Sequence, residues 1–327
     1  MNTRRKLLVA LGAGALATPL ASFAQQQGKV WRIGFLGSGT ATGYTRQVDA
    51  LRLGLSELGY LEGKNIAIEF RWAEDKNDRL PDLAAELVRL NVDVIVTHGT
   101  PGTRAAKEAT TTIPIVMAAS GDAVATGLVA SLARPGGNIT GTSFLSPQLS
   151  AKRLEIIKDA IPKVTKVAVL VNSVNPATET IFQVMEITAG ALKVKLQKLG
   201  IRGPNEFESA FAAMAKIRVD AVIILADTIF TANDNAIAKL AMANRIPSIG
   251  PREFAEAGCL LGYGQISTEM FRRAAFFVDK ILKGIKPANI PVEQPTIFEL
   301  IVNLRTAKAL GIRIPQTLLQ RADKIIE

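Results

Sequence analysis

Residues 37–43 read Gly37, Ser38, Gly39, Thr40, Ala41, Thr42, Gly43, a small-residue run after an apolar stretch and ahead of a helical pattern. Glycines spaced G-x-G-x-x-G at such a place let a dinucleotide pyrophosphate reach a helix N-terminus, with an acid about 20 residues on for the ribose. Here the spacing is G-x-G-x-x-x-G and the next strand ends near Glu69, 30 residues past Gly39. Oxidoreduction with NAD(P) is therefore the alternative reading. The preferred one is anion binding, in which backbone N–H groups and the Ser38 and Thr40 hydroxyls meet a carboxylate.

Thr97, His98, Gly99 and Thr100 close a later apolar run, and Ser120, Gly121 and Asp122 close the next. Ligands bind at the carboxyl ends of strands in open α/β sheets, so these turns are candidate contacts. His98 could donate to a bound anion or cap the following helix. Asp122 is read as the N-cap of a helix over 123–132 or as a partner for a ligand ammonium. Comparable ends carry Asn172, Asp227 and Thr228, and Arg252 and Tyr263 follow later runs. No Ser-His-acid or Cys-His constellation is legible, so no catalytic residue is expected. With one Cys, Cys259, and one His, a disulfide framework and a Cys- or His-built metal site are excluded. No metal and no cofactor is expected.

The elements that must carry these turns alternate. Short β-branched runs at 30–36, 66–70, 92–97, 113–118 and 139–142 predict strands, and helical spacing predicts helices over 44–58, 79–90 and 101–109. The series then restarts, with strands at 166–171, 194–199, 221–225 and 247–249 and helices over 177–191, 207–217 and 232–244. Asp93-Val94-Ile95-Val96 precedes Ile113-Pro114, and Asp220-Ala221-Val222-Ile223 precedes Ile246-Pro247, so similar phrases recur in matched order. Strand candidates at 259–263 and 298–303, a helix over 269–282 and short helices over 307–310 and 318–325 complete the chain. Phe271, Phe276 and Phe277 lie at helical spacing and are read as core; Cys259 is read as a packed, inert thiol.

The pattern predicts an α/β fold of two Rossmann-like lobes with parallel sheets, joined by a multi-strand hinge around a ligand cleft. Lobe 1 is expected to comprise 29–145 plus about 266–290, and lobe 2 146–265 plus about 291–327. Crossings are expected near 143–148, 264–268 and 290–295.

Arg4, Arg5 and Lys6, an apolar stretch over 7–20 and Ser22-Phe23-Ala24 read as a signal peptide over 1–24, exported by the general or the twin-arginine route. No Cys stands near the cleavage point to carry a lipid, so a soluble periplasmic protein is expected. The chain has 327 residues and a net charge of +10, which falls to +7 without those three cations. The remaining charge is dispersed and aromatics make up 6% of the chain, which argues against nucleic acid as a partner. A monomer is expected. A repressor-type regulator would need a helix-turn-helix where the leader stands.

Several phrases together carry a family likeness: Asn65-Ile66-Ala67-Ile68-Glu69-Phe70-Arg71, Ile113-Pro114-Ile115-Val116-Met117-Ala118, Arg134-Pro135-Gly136-Gly137-Asn138-Ile139-Thr140-Gly141, Arg153-Leu154-Glu155 ahead of Lys166-Val167-Ala168-Val169-Leu170, and Asn303-Leu304-Arg305-Thr306-Ala307. In this order the chain resembles the extracytoplasmic substrate-binding proteins of ATP-binding-cassette importers, in the branch that includes tryptophan-binding members. The resemblance implies the type I periplasmic binding fold, with three crossovers, a site between the lobes and docking of the closed form on a membrane permease. Carried over by position, the site would draw on Ser38, Thr40, the 97–100 and 120–122 turns, Asn172, Asp227 and Tyr263. A receptor for a small carboxylate-bearing ligand, an amino acid or an aromatic acid, closing by hinge motion, is the expected function.

Overall fold

The computed structural model describes residues 29–144 and 146–327; the expected leader, 1–24, lies outside the described residues. Trp31–Glu327 makes one unit, and of the other, Met1–Val30, only residues 29 and 30 are described.

Five strands pair in parallel, four of them buried along most of their length, as strands covered by helices on both faces are, and the edge strand Ile66–Trp72 largely half-buried. They are β1 (Trp31–Gly37), β2 (Ile66–Trp72), β3 (Val94–His98), β4 (Ile115–Ser120) and β5 (Ile139–Ser143), in the spatial order β2-β1-β3-β4-β5. A second sheet holds β6 (Lys166–Asn172), β7 (Lys195–Ile201), β8 (Ala221–Ile224), β9 (Ser248–Gly250), β10 (Leu261–Gly264), β11 (Glu299–Asn303) and β12 (Lys324–Ile326), in the order β12-β11-β10-β9-β8-β6-β7. The first sheet is wholly parallel and the second mostly so, because β11 runs against β10.

Helices α1 (Thr45–Glu57), α2 (Leu80–Arg89) and α3 (Gly99–Ala109) cover the first sheet. The second is covered by α4 (Ser146–Ala160), α5 (Thr178–Leu192), α6 (Phe207–Lys216), α7 (Thr228–Ala232), α8 (Asp234–Ala243) and α9 (Glu253–Ala257). From β10 the chain returns to the first body as α10 (Ser267–Leu282), whose Phe271, Ala275 and Val278 share a core with Leu51 and Leu55 of α1. Glu293 N donates to the Gly141 carbonyl before the chain crosses again to β11. Helices α11 (Leu304–Leu310) and α12 (Gln316–Leu319) precede β12. Three segments, after β5, after β10 and ahead of β11, thus link the two bodies.

Two local expectations are corrected. Residues 123–132 form successive turns, not a helix: Leu128 and Val129 both donate to the Ala123 carbonyl while Gly127 takes a φ of 69°, a left-handed value that ends helical propagation. Residues 318–325 yield one turn of α12 and then β12. Leu300 N donates to the Asp323 carboxylate at 2.7 Å and Asp323 N to the Leu300 carbonyl at 2.9 Å. That clamp docks the tail on the open edge of β11, and edge pairing overrides the helical spacing. Helix α4, which the spacing did not announce, starts with Pro147 in its first turn, where a missing N–H is tolerated.

Candidate functional site

The carboxyl ends of both sheets face one cavity of about 80 Å³. On the first-sheet side, β3 delivers His98 and α3 begins at Gly99 and Thr100. Gly99 adopts a φ of 72°, and a Cβ there would stand 2.5 Å from the Thr228 methyl of the facing body. The imidazole of His98 packs 4.1 Å from the Tyr44 ring, 5.5 Å from Phe271 and 5.9 Å from Phe35, centre to centre. Only 2% of His98 is exposed, and burial pushes its pKa down to about 3, so the ring is neutral at physiological pH. Burial likewise raises the Tyr44 phenol well above its ordinary range, and its hydroxyl donates to the Thr228 carbonyl at 3.3 Å.

The opposite side is acidic. Asp227 caps α7: one carboxylate oxygen accepts from Ile229 N and Asn172 Nδ2, both at 3.0 Å, and the other from Asn175 Nδ2 at 2.7 Å. Glu253, at the start of α9, accepts from Ser267 N at 2.9 Å. Burial raises the pKa of both acids, against the lowering effect of those hydrogen bonds. Segments linking the bodies supply the remaining wall with Phe144, Ser146, Gln265 and Met270. Three buried polar atoms of the lining have no partner among the described residues: His98 Nε2, Thr228 Oγ1 and Gln265 Oε1. The N-terminus of α3 suits a negative group, the acids suit a positive one, and the aromatic and aliphatic walls between them suit an apolar one.

Of the sequence candidates, His98, Gly99, Thr100, Gly121, Asp227 and Thr228 line this cavity. The others lie off its wall. Ser38 and Thr97 are fully buried beneath α3, where Thr97 donates to the Leu36 carbonyl at 2.9 Å and Gly102 lets the helix settle over both. Thr40 accepts from Gly43 N in its own turn, and Ser120 is fully buried. Asp122 accepts from the backbone of Val124 and Ala125 and lines a separate pocket with Arg104 and Pro147. Asn172 Nδ2 donates to Asp227 and does not line the cavity. Arg252 pairs with Glu299 and Glu256, while Tyr263 stacks on Phe298 and its carbonyl accepts from Arg153 Nε at 2.9 Å. Tyr44, Glu253, Gln265 and Phe271 line the cavity and were not among the sequence candidates. The helical spacing of Phe271 predicts a core position, and the residue is in the core and on the cavity wall at once.

The glycine run is explained without a nucleotide. A Cβ on Gly37 would overlap the Trp72 ring, on Gly39 it would stand 2.8 Å from the Ala232 methyl, and on Gly43 2.7 Å from the Ala232 carbonyl. These glycines allow close approach of a neighbouring strand and of the facing body. Beside them, Arg46 reaches Asp234 at 3.3 Å and Asn233 donates to Asp75 at 3.1 Å, so the two bodies touch around the cavity.

The family described as ABC transporter substrate binding protein matches residues 41–326. A tyrosine-binding protein of Clostridioides difficile is 30% identical over 261 residues, 79% of this chain and 74% of that protein. An ABC domain from Streptococcus pneumoniae solved in complex with L-Trp is 25% identical, with a TM-score of 0.82 over 90% of this chain and 99% of that one. A ligand-free, open substrate-binding protein from Clostridium difficile is 26% identical over 91% and 99% of the two chains, with a TM-score of 0.63. Two sheets of mostly parallel strands with this order form the type I periplasmic binding protein fold. The chain belongs to the substrate-binding proteins of ABC transporters, extracytoplasmic receptors rather than enzymes, which take up a small molecule and present it to a membrane permease.

Proposed function

We propose that this receptor binds an α-amino acid with an apolar or aromatic side chain in the cavity between its two bodies, and that the contacts described above belong to the closed form. The observation that carries the reading is the pair of buried carboxylates, Asp227 and Glu253, facing the N-terminus of α3 across an aromatic wall. Arg252 and the buried Arg153 act on Glu253, whereas Asp227 meets only neutral donors among the described residues; a buried acid so placed is costly, which favours a ligand with an ammonium group over a bare aromatic acid. The carboxylate of such a ligand meets the Gly99 and Thr100 end of α3. Relatives that bind tyrosine or hold L-Trp support this class, and the lower TM-score against the ligand-free, open relative supports the closed assignment. The bodies, residues 29–145 with about 266–290 and 146–265 with about 291–327, move about the three linking segments. Residues 1–24 direct export to the periplasm, where the receptor acts as a monomer.

The test is titration calorimetry of the twenty L-amino acids, benzoate and 3-phenylpropionate against the purified protein. An L-amino acid should bind with micromolar affinity or better, and its deaminated analogue at least tenfold more weakly, a gap of about 1.4 kcal/mol. In Glu253→Gln that gap should shrink. Tighter binding of the deaminated acids would refute the assignment, and saturable NAD(P) binding with turnover would restore the oxidoreductase reading.

A further inference from the structure

His98 is the one histidine in the chain, and it stands where a phenylalanine would fit as wall material. Its neighbours Tyr44, Phe271 and Phe35 are all aromatic rings at stacking or near-stacking distance. An imidazole in that nest carries two nitrogens that must be stripped of water, and Nε2 finds no partner among the described residues although the residue is 98% buried. Buried polar groups are hydrogen-bonded in nearly all folded proteins, so an idle one on a cavity wall points to a partner that enters the cavity. The acids and the α3 N-terminus already answer both charges of an amino acid. What remains for His98 is the side chain.

We propose that His98 is a specificity residue, whose imidazole hydrogen-bonds a hydroxyl or ring N–H on an aromatic amino acid and so ranks such ligands above phenylalanine. The inference rests on the amino-acid reading above. A neutral imidazole offers one donor and one acceptor, so it can answer a phenol hydroxyl in either sense and an indole N–H as acceptor, without bringing charge to the apolar end of the ligand. A site built around such a bond rejects the analogue that lacks it, because its own polar group is then left unpaired.

The experiment is calorimetric titration of wild type, His98→Phe and His98→Gln with L-Tyr, L-Trp and L-Phe, each variant first checked for cooperative thermal unfolding. Wild type should bind L-Tyr or L-Trp at least tenfold more tightly than L-Phe. In His98→Phe that preference should fall to within about threefold, L-Phe binding as well as before or better, while His98→Gln, which keeps a donor and an acceptor, retains part of it. Should His98→Phe not fold, retention of the preference by His98→Gln together with its loss in His98→Leu decides the matter. An undiminished preference in His98→Phe overturns the proposal, and so does an equal loss for all three ligands, which would assign His98 to the head group. Binding of aliphatic amino acids with none of the three aromatic ones would refute the role of His98 and leave the amino-acid reading standing. Absence of binding by any amino acid would refute both.

Discussion

Gly43→Ala should weaken ligand binding without weakening the fold. Gly43 lies in the short turn Thr42–Tyr44 ahead of α1, and a Cβ built on it meets Ala232 of the facing body at three atoms: the carbonyl oxygen at 2.7 Å, Cα at 2.8 Å and Cβ at 2.9 Å. Two of those atoms are backbone and cannot swing aside, so in the closed form the seam must part by some tenths of an ångström. Overpacking of this size typically costs about 1–3 kcal/mol. In the open form Ala232 is withdrawn and alanine is tolerated in the turn, where it removes freedom from the unfolded chain and adds about 0.4–1 kcal/mol of stability. Apparent affinity is reduced by the fraction of protein able to close, so Kd should rise about 5- to 150-fold, and further in Gly43→Val. Titration calorimetry with the amino acid that binds wild type reads the affinity, and urea unfolding without ligand reads the fold. Gly190→Ala, on α5 with nothing within 4 Å of the new Cβ, is the control and should leave Kd unchanged. Wild-type affinity in Gly43→Val would refute the closure argument, as would a loss of unliganded stability as large as the loss of binding.

Acid should destabilise the protein through His98. Its folded pKa of about 3 lies below the value of about 6.5 in the unfolded chain, so its contribution is complete above pH 6.5 and disappears as pH falls toward 3; between pH 7.5 and 5 the loss is about 2 kcal/mol. The raised carboxylates of Asp227 and Glu253 act in the opposite sense, their contribution being complete below the unfolded carboxylate range and lost as pH rises. The measurement is therefore the difference in urea-unfolding free energy between wild type and His98→Phe at the two pH values, and equal pH slopes would contradict it. Thr97→Val leaves the buried Leu36 carbonyl without its side-chain donor and should cost about 1 kcal/mol of stability with affinity within about twofold of wild type. Thr228→Val, at the cavity wall, should do the reverse, and a binding defect in Thr97→Val matching that of Thr228→Val would show that Thr97 reaches the ligand.

The strands were legible because runs such as Ile33, Phe35, Val94, Val96, Val167 and Val169 are fully buried in sheets covered on both faces, which leaves the sequence no choice but continuous apolar residues. Strand ends were legible as candidate positions for a topological reason, and His98, Gly99, Thr100, Asp227 and Thr228 line the cavity between the sheets. Topology does not say which end residues a helix will cover. Gly102 brings α3 down onto Ser38 and Thr97, and a glycine four residues beyond His98 carries no visible instruction to that effect. Glu253, Gln265 and Phe271 were illegible for another reason. They belong to a short helix, a linking segment and a helix whose spacing is satisfied by core packing alone, and they reach the cavity only when the two bodies meet. The tail was misread because helical spacing over 318–325 is a local signal, whereas the open edge of β11 that captures it is a distant one.

The contacts between the bodies explain why closure would wait for a ligand. Arg46 with Asp234 and Glu256, Asn233 with Asp75, Tyr44 with the Thr228 carbonyl and Ser267 N with Glu253 are polar contacts between the bodies, and the Arg46 side chain is 57% exposed, so a pair of its kind contributes between about 0 and 1 kcal/mol. Against them stands the burial of Asp227, on which no cation acts among the described residues, and burying an acid without a cation carries a penalty of several kcal/mol or leaves it protonated. An empty closed form is thus held by weak polar contacts and opposed by the desolvated acid Asp227. An ammonium group reverses the sign of the second contribution while leaving the first unchanged, and that differential affinity is what shifts an open–closed balance. If the proposed amino acid is the ligand, Asp227 would both select it and keep the unloaded receptor from presenting a closed surface to the permease.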